Sequence, residues 1–134
     1  METKIICAGF GGQGVMSMGQ LLAYAGMLEN KHVSWLPSYG PEMRGGTANC
    51  AVIVADGEIG SPVISNDADV AIIMNLPSLT KFQNDVKPGG KIFINKSLIE
   101  QKVSRDDVDV YYIDANKIAE DYGNPKDANL VMLG

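Results

Sequence analysis

The sequence has 134 residues, of which 46% are hydrophobic and 20% charged, a size and balance typical of one compact domain with a single core. A formal net charge of -5 disfavours binding to nucleic acid or to an anionic membrane surface. No apolar run approaches the roughly 20 residues that span a bilayer, and the first residues lack the pattern of a secretion signal, so we expect a cytoplasmic protein.

The first third of the chain has the pattern that opens a Rossmann-like unit. Residues 4–8 form a short apolar run that stops at glycines, which predicts a strand. Residues 15–29 predict a helix, whose apolar positions are Val15, Met18, Leu21, Leu22 and Ala25. Residues 32–36 predict a second strand, and residues 37–46, which are rich in glycine and proline, predict a loop.

The remaining residues predict further strands and two short helices. Residues 47–55 alternate as a strand does, and the Asp56-Gly57 turn predicts an antiparallel hairpin with residues 59–64 at the sheet edge. The later elements are a buried parallel strand at 69–74, a helix that begins near Pro77 and Ser78 and ends before a turn at 87–90, strands at 91–95 and 108–113, and a helix at 116–122 closed by Gly123.

Together these elements predict an α/β fold, a Rossmann-like three-layer domain with a mostly parallel sheet and an antiparallel edge hairpin. We expect a single domain over residues 1–134. Residues 128–134 have the apolar density of a helix that docks on the sheet, yet the sequence stops there. We therefore expect the natural chain to be longer.

Cys7 and Cys50 are the two cysteines, and each lies within an apolar, strand-like run. We expect both to be small buried side chains without a disulfide. Two cysteines cannot hold an iron-sulfur cluster of the usual four-cysteine kind, so this chain alone is not expected to carry one. His32 is the only histidine, which disfavours a metal site or a catalytic triad built from this chain.

A glycine motif lies between the first strand and the first helix. Gly9, Gly11 and Gly14 match GxGxxG, with Gly12 and Gln13 between them. Such glycines let backbone N–H groups approach an anion at a helix N-terminus. A dinucleotide site also needs an acid at the end of the second strand, and residues 33–37 contain none. Two interpretations remain, a phosphate-binding loop and a tight turn held against a neighbouring chain, and Gln13 suits either.

The second motif is the loop Ser38-Tyr39-Gly40-Pro41-Glu42-Met43-Arg44-Gly45-Gly46. Arg44 offers a planar fork for phosphate or carboxylate, and Tyr39 offers both an aromatic face and a hydroxyl. An internal pair between Glu42 and Arg44 would instead only stiffen the loop. Flexible glycines beside rigid prolines favour a binding or interface role.

These two motifs in this order resemble the gamma subunit, or fused gamma domain, of the 2-oxoacid:ferredoxin oxidoreductases. The resemblance extends through residues 59–62 and 87–90 and covers most of the chain. It implies the oxidative decarboxylation of a 2-oxoacid with coenzyme A, giving an acyl thioester, carbon dioxide and reduced ferredoxin. The form of the loop resembles the 2-oxoglutarate branch first and the branched-chain 2-oxoacid branch second.

The resemblance also implies the partners and the cofactors. Thiamine diphosphate and the iron-sulfur clusters belong to alpha, beta and ferredoxin-like subunits, with ferredoxin as electron acceptor and coenzyme A as substrate of the complex. No catalytic residue and no metal ligand is expected in this chain. Two alternatives from other classes are a stand-alone nucleotide- or CoA-binding module and a protein that only assembles partners. The sequence leaves open a homodimer of the isolated chain.

Overall fold

A six-stranded sheet with helices on both faces forms the architecture. The computed structural model describes residues 2–10, 15–39, 47–60, 64, 67–97, 99, 103, 105–121, 123 and 132. The elements, in chain order, are β1 (Glu2–Phe10), α1 (Val15–Leu28), β2 (His32–Tyr39), β3 (Thr47–Ala55), β4 (Ala68–Ile73), α2 (Leu76–Phe82), a 3-10 turn (Gln83–Asp85), β5 (Val86–Asn95), β6 (Asp109–Ile113) and α3 (Ala115–Asp121).

The strands lie in the order β2-β3-β1-β4-β5-β6. β1, β4, β5 and β6 pair in parallel, whereas β3 pairs antiparallel with both β1 and β2. Among the six strands, β3 therefore runs against the other five. The predicted α/β fold with a mostly parallel sheet and an antiparallel hairpin at its edge is confirmed.

The hairpin, however, has a different second strand from the one predicted. We expected residues 47–55 to pair with residues 59–64, but β3 pairs with β1 along one side and with β2 along the other. A strand has only two hydrogen-bonding sides, so no side is left for residues 59–64. Ile59, Gly60 and Ile64 lie outside any strand.

The first residues of the predicted loop and the whole of one predicted turn belong to strands. β2 continues through Pro37 to Tyr39, and its position at the sheet edge tolerates a proline that cannot donate to a neighbour. The predicted turn at residues 87–90 is a bulge inside β5, because Ala68 pairs with Val86 whereas Val70 pairs with Lys91.

Alternate residues of β1 pack on opposite faces of the sheet. Ile6 and Ala8 belong to the core on the α2 side, whereas Cys7 belongs to the core on the α1 side. Val15 and Met18 of α1 lie in the second core, and Leu79 of α2 lies in the first. The helices therefore cover opposite faces, as a three-layer domain requires.

The inner face of α1 differs from the predicted apolar stripe. Its buried residues are Val15, Met18, Gly19, Ala23 and Gly26. Val15 and Met18 were predicted, but Leu21 and Ala25 are exposed. The reason is close packing: a Cβ at Gly19 would lie 2.3 Å from the Sγ of Cys50, and one at Gly26 would lie 2.6 Å from a Cγ of Val33.

The helix ends follow known capping chemistry. Asn30 ends α1 in the left-handed region, with φ 61°, and the predicted glycine closure of α3 is confirmed by Gly123, with φ 82°. Met132 is helical and buried against the α1 side of the sheet, and the rest of the predicted docking segment lies outside the described residues. No helix in the described part of the chain is both long and apolar enough to cross a bilayer.

Candidate functional site at the carboxyl edge of the sheet

The carboxyl ends of β1 and β4 meet at a point where the chain diverges to opposite faces. After β1 the chain enters α1 on one face, and after β4 it enters α2 on the other, while β1 and β4 are adjacent in the sheet. The Met74 amide donates to the carbonyl oxygen of Ala8, with an N–O distance of 2.8 Å. Such a topological switch point is where open α/β sheets usually bind ligands.

The fold brings the described first residues of the two sequence motifs to this same edge. Gly9, at the end of β1, and Tyr39, at the end of β2, both pair with Ala48 of β3, one on each side. Adjacent strands lie about 4.8 Å apart, so the backbones of Gly9 and Tyr39 are roughly 10 Å apart. The residues after Gly9 and the residues after Tyr39 therefore start from neighbouring points.

The predicted site residues fall partly within this description. Gly9 is buried in β1, and Ser38 and Tyr39 lie in β2, where Ser38 pairs with Asn49. The remaining ones lie outside the described residues: Gly11, Gly12, Gln13, Gly14, Gly40, Pro41, Glu42, Arg44, Gly45 and Gly46.

Two polar residues at the same edge were missed by the sequence analysis. Asn75 follows β4 and caps α2, accepting through its Oδ1 from the Ser78 amide at 2.9 Å. Both side chains are about 1% exposed, and the Nδ2 of Asn75 and the hydroxyl of Ser78 have no hydrogen-bond partner among the described residues. Buried polar atoms without partners are uncommon. An asparagine directly before a Leu-Pro helix start is the signal that could have identified the cap.

The two cysteines anchor the start of α1 beside the glycine motif. Cys7 and Cys50 are directly opposite each other on β1 and β3, both fully buried and both free, as predicted. The Cys50 thiol donates to the Val15 carbonyl oxygen at 3.6 Å. The pKa of Cys7 is raised well above its usual range, first by its hydrogen bond to Cys50 and then by burial. Cys7 therefore stays a thiol, and the pair contributes packing and position.

The topology argues against a dinucleotide site. In a dinucleotide-binding unit the second strand lies parallel and next to the first, so that an acid at its end reaches the ribose. Here the antiparallel β3 separates β1 from β2. β2, with the sequence HVSWLPSY, also carries no acid. The weak match to GxGxxG therefore lacks the partner that such a site requires.

Two cavities are lined by described residues, and neither includes Gly9, Tyr39 or Asn75 in its lining. One, of about 280 Å³, is lined entirely by apolar side chains, namely Ile5, Leu22, Val70, Ile72, Phe93, Ile113 and Met132. Such a lining offers nothing to hold a phosphate or a carboxylate. Within the described ranges, no three His, Cys, Asp or Glu side chains are grouped as a metal site.

The charged side chains near strand ends form ion pairs that support the fold. Lys4 pairs with Asp67, and its amide donates to Asp69 at 2.7 Å. Arg105 holds Asp107 with two N–O contacts of 2.8 Å. His32 is exposed at the start of β2.

Comparison with known proteins agrees with this geometry. The family model described as pyruvate ferredoxin/flavodoxin oxidoreductase matches residues 4–134. The chain belongs to this family. The resemblance drawn from the two motifs is confirmed.

Individual members of the pyruvate ferredoxin/flavodoxin oxidoreductase family give the scale of the match. The ketoisovalerate oxidoreductase subunit VorA of Methanothermobacter thermautotrophicus is 43% identical over 99% of this chain, which spans 27% of VorA. The 2-oxoglutarate synthase subunit KorC of Methanocaldococcus jannaschii is 35% identical over 100% of this chain and 73% of KorC.

The solved structure of a keto/oxoacid ferredoxin oxidoreductase gamma subunit from Geobacter sulfurreducens has a TM-score of 0.87 and 26% identity to this member of the family. The match covers 99% of this chain and 73% of that one. The chain thus spans about a quarter of the VorA relatives and about three quarters of the KorC and gamma-subunit relatives.

Proposed function

We propose that this chain is the gamma subunit, or gamma domain, of a cytoplasmic 2-oxoacid:ferredoxin oxidoreductase. The complex converts a 2-oxoacid and coenzyme A to an acyl thioester and carbon dioxide and reduces ferredoxin. The observation that carries the proposal is the pairing of Gly9 and Tyr39 with the same residue, Ala48, which brings both family motifs to one sheet edge.

The chemistry of the reaction lies in partner subunits. Thiamine diphosphate supplies the decarboxylation chemistry, and iron-sulfur clusters carry the electrons to ferredoxin. The described residues of this chain hold two buried, free cysteines and no grouped metal ligands, which does not fit a cluster. We assign the cofactors to alpha, beta and ferredoxin-like subunits, and to this chain the shaping of one wall of the substrate path.

The loop from Ser38 to Gly46 is the segment that we assign to this wall. Seven residues connect Tyr39 at the end of β2 to Thr47 at the start of β3. Tyr39 pairs with Ala48 of β3, and Thr47 pairs with Phe10 of β1. Hairpin loops usually need two to five residues. A longer connection is typical of a loop that binds a ligand or a partner and does not merely join two strands. Arg44 is the cation of this loop and suits a phosphate of coenzyme A or the carboxylate of the 2-oxoacid.

The glycine motif supports the same wall from the side of α1. Gly9 is buried where β1 ends, and Val15 begins α1 while accepting from Cys50. We propose that residues 9–14, with Gln13 among them, either bind a phosphate or hold the turn against a partner subunit. Both roles place the motif next to the Ser38–Gly46 loop.

The 2-oxoacid is either 2-oxoglutarate or a branched-chain acid. The loop sequence ranks 2-oxoglutarate first. The relatives at 40% and 43% identity are ketoisovalerate subunits, whereas the 2-oxoglutarate subunits are 31% to 35% identical, which favours testing the branched-chain acids with equal weight. Turnover of the assembled enzyme with 2-oxoglutarate and with 2-ketoisovalerate would separate the two.

Replacement of Arg44 by alanine tests the role of the loop. Loss of a charge-assisted hydrogen bond costs about 1.5–3 kcal/mol, so the Michaelis constant for coenzyme A or the 2-oxoacid should rise roughly tenfold to a hundredfold. Lys117→Ala, which removes an exposed positive charge from α3, is the matched control and should leave both constants unchanged. Unchanged kinetics in Arg44→Ala would leave the loop only a structural role.

The identity of the complex is tested by purification. The tagged chain should co-purify with thiamine-binding and ferredoxin-like subunits and, alone, should show no melting shift with nucleotides or coenzyme A. A shift in the isolated chain would instead support a stand-alone binding module.

A further inference from the structure

The outward face of α1 is unusually apolar for a helix on a protein surface. The helix, VMSMGQLLAYAGML, contains no charged residue in 14 positions. Its large outward side chains are Leu21, Tyr24, Met27 and Leu28, which are 43%, 59%, 58% and 66% exposed. Ser17 and Gln20 are the polar residues on the exposed side, which carries no charge. A surface helix normally presents charged and polar residues to solvent.

The orientation of α1 is set by its inner face and cannot rotate to bury these side chains. Gly19 and Gly26 let the helix approach β2 and β3 so closely that a Cβ would lie 2.3 Å from Cys50 Sγ and 2.6 Å from a Val33 Cγ. Turning Leu21 or Tyr24 inward would bring a far larger group to the same place. The exposure of the outward face is therefore a consequence of the core packing.

A second surface helix of the same chain shows the contrast. α3 presents Lys117, Glu120 and Asp121 to solvent around Ile118, which is 37% exposed. This is the ordinary pattern of a solvated helix. The lack of charge on α1 is thus specific to that helix and does not reflect the composition of the chain as a whole.

We infer that the outward face of α1 is an interface with an uncharged, apolar surface of another part of the same oxidoreductase. Tyr and Met are enriched and charged residues depleted at the centres of protein interfaces, which matches this face. The VorA relatives carry this unit as 27% of a longer chain, so the unit lies in those proteins beside other parts of one polypeptide. The occupant is the subunit of this enzyme that corresponds to that remaining part. This inference rests on the proposed function.

A single charge placed on the face tests the inference. In the native chain co-expressed with its thiamine-binding and ferredoxin-like subunits, Tyr24→Lys should reduce assembly at least tenfold, because it buries an unpaired charge. Ile118→Lys, an equal change on α3, should assemble like the wild type. Both isolated chains should melt close to the wild type, since both sites are exposed. If Tyr24→Lys impairs folding, Leu28→Lys, at the end of the helix where a cation is favourable, replaces it.

The outcomes separate this inference from the proposed function. If the wild-type chain assembles and the folded Tyr24→Lys chain assembles equally well, the interface is elsewhere and the proposed function stands. If the wild-type chain itself fails to assemble with these subunits, the proposed function is wrong. If light scattering instead shows a wild-type dimer that Tyr24→Lys converts to a monomer, a second copy occupies the face and the inference is overturned.

Discussion

Replacing Gly19 by alanine perturbs the contact that fixes α1 on the sheet. The new Cβ would lie 2.3 Å from Cys50 Sγ, 2.8 Å from Trp35 Nε1 and 3.0 Å from Trp35 Cδ1. Cys50 is fully buried, and Trp35 of β2 is partly buried with its ring against α1, so neither can move away freely. The packing contact, not the helix backbone, should decide the sign of the effect.

The magnitude follows from two opposing contributions. Alanine favours a helix interior over glycine by about 0.5–1 kcal/mol, whereas an extra methyl in a well-packed core costs about 1–3 kcal/mol. Three atoms within 3.0 Å place the cost in the upper part of that range. We expect a net loss of about 1–2 kcal/mol in the free energy of unfolding, or roughly 3–8 °C in melting temperature.

Urea unfolding is a direct assay, because Trp35 is the only tryptophan and its fluorescence reports this contact. In a Cys50→Ala background the nearest clashing atom is absent, so the cost of Gly19→Ala should fall by at least about 0.5 kcal/mol. Ser17→Ala, on the exposed side of the same helix, should change stability by less than about 0.5 kcal/mol. A neutral or stabilising Gly19→Ala, or a cost that Cys50→Ala leaves unchanged, would refute this account of the packing.

Two further substitutions test contacts beside the site. Asn75→Ala removes the cap of α2 and should lower the free energy of unfolding by about 1 kcal/mol in chemical denaturation. Asn75→Ser, which keeps an uncharged accepting oxygen at this buried position, should cost less, and equal losses would contradict the capping role. Arg105 lowers the pKa of Asp107 through its hydrogen bonds. The pair therefore stabilises the folded protein at pH values above the ordinary pKa of 3.8, and this contribution is lost as the pH falls through the lower pKa of the folded state. The difference in urea midpoint between the wild type and Asp107→Asn should therefore be present at neutral pH and shrink below about pH 4, and a difference that persists in acid would exclude the charge as its cause.

Local patterns were sufficient to predict most of the individual elements. β3 has the bounds that its alternation predicts, and α1 begins at Val15 as its apolar spacing indicates. The capping role of Gly123 also follows from local chemistry, since glycine adopts a positive φ at no steric cost. These features depend on residues within a few positions of one another.

Pairing between distant segments could not be predicted in the same way. The turn at Asp56-Gly57 suggested a hairpin with the residues that follow. Instead β3 pairs with β2, the strand before it, and with β1 at the start of the chain. The candidate site also depends on strand pairing. Gly9 and Tyr39 are neighbours of Ala48 only because β3 lies between their strands. Asn75 joins the same edge through the parallel pairing of β4 with β1.

The sequence by itself determined the elements, the family and the two motifs, because periodicity, turn chemistry and motif residues are local properties. Only the tertiary structure decided which side of α1 is buried and which strands meet at the site. Apolar spacing could not distinguish Leu21 from Gly19 as the inner residue, because the choice depends on how closely Cys50 and Trp35 approach from two other strands. That distance is a property of the packed sheet and helix together.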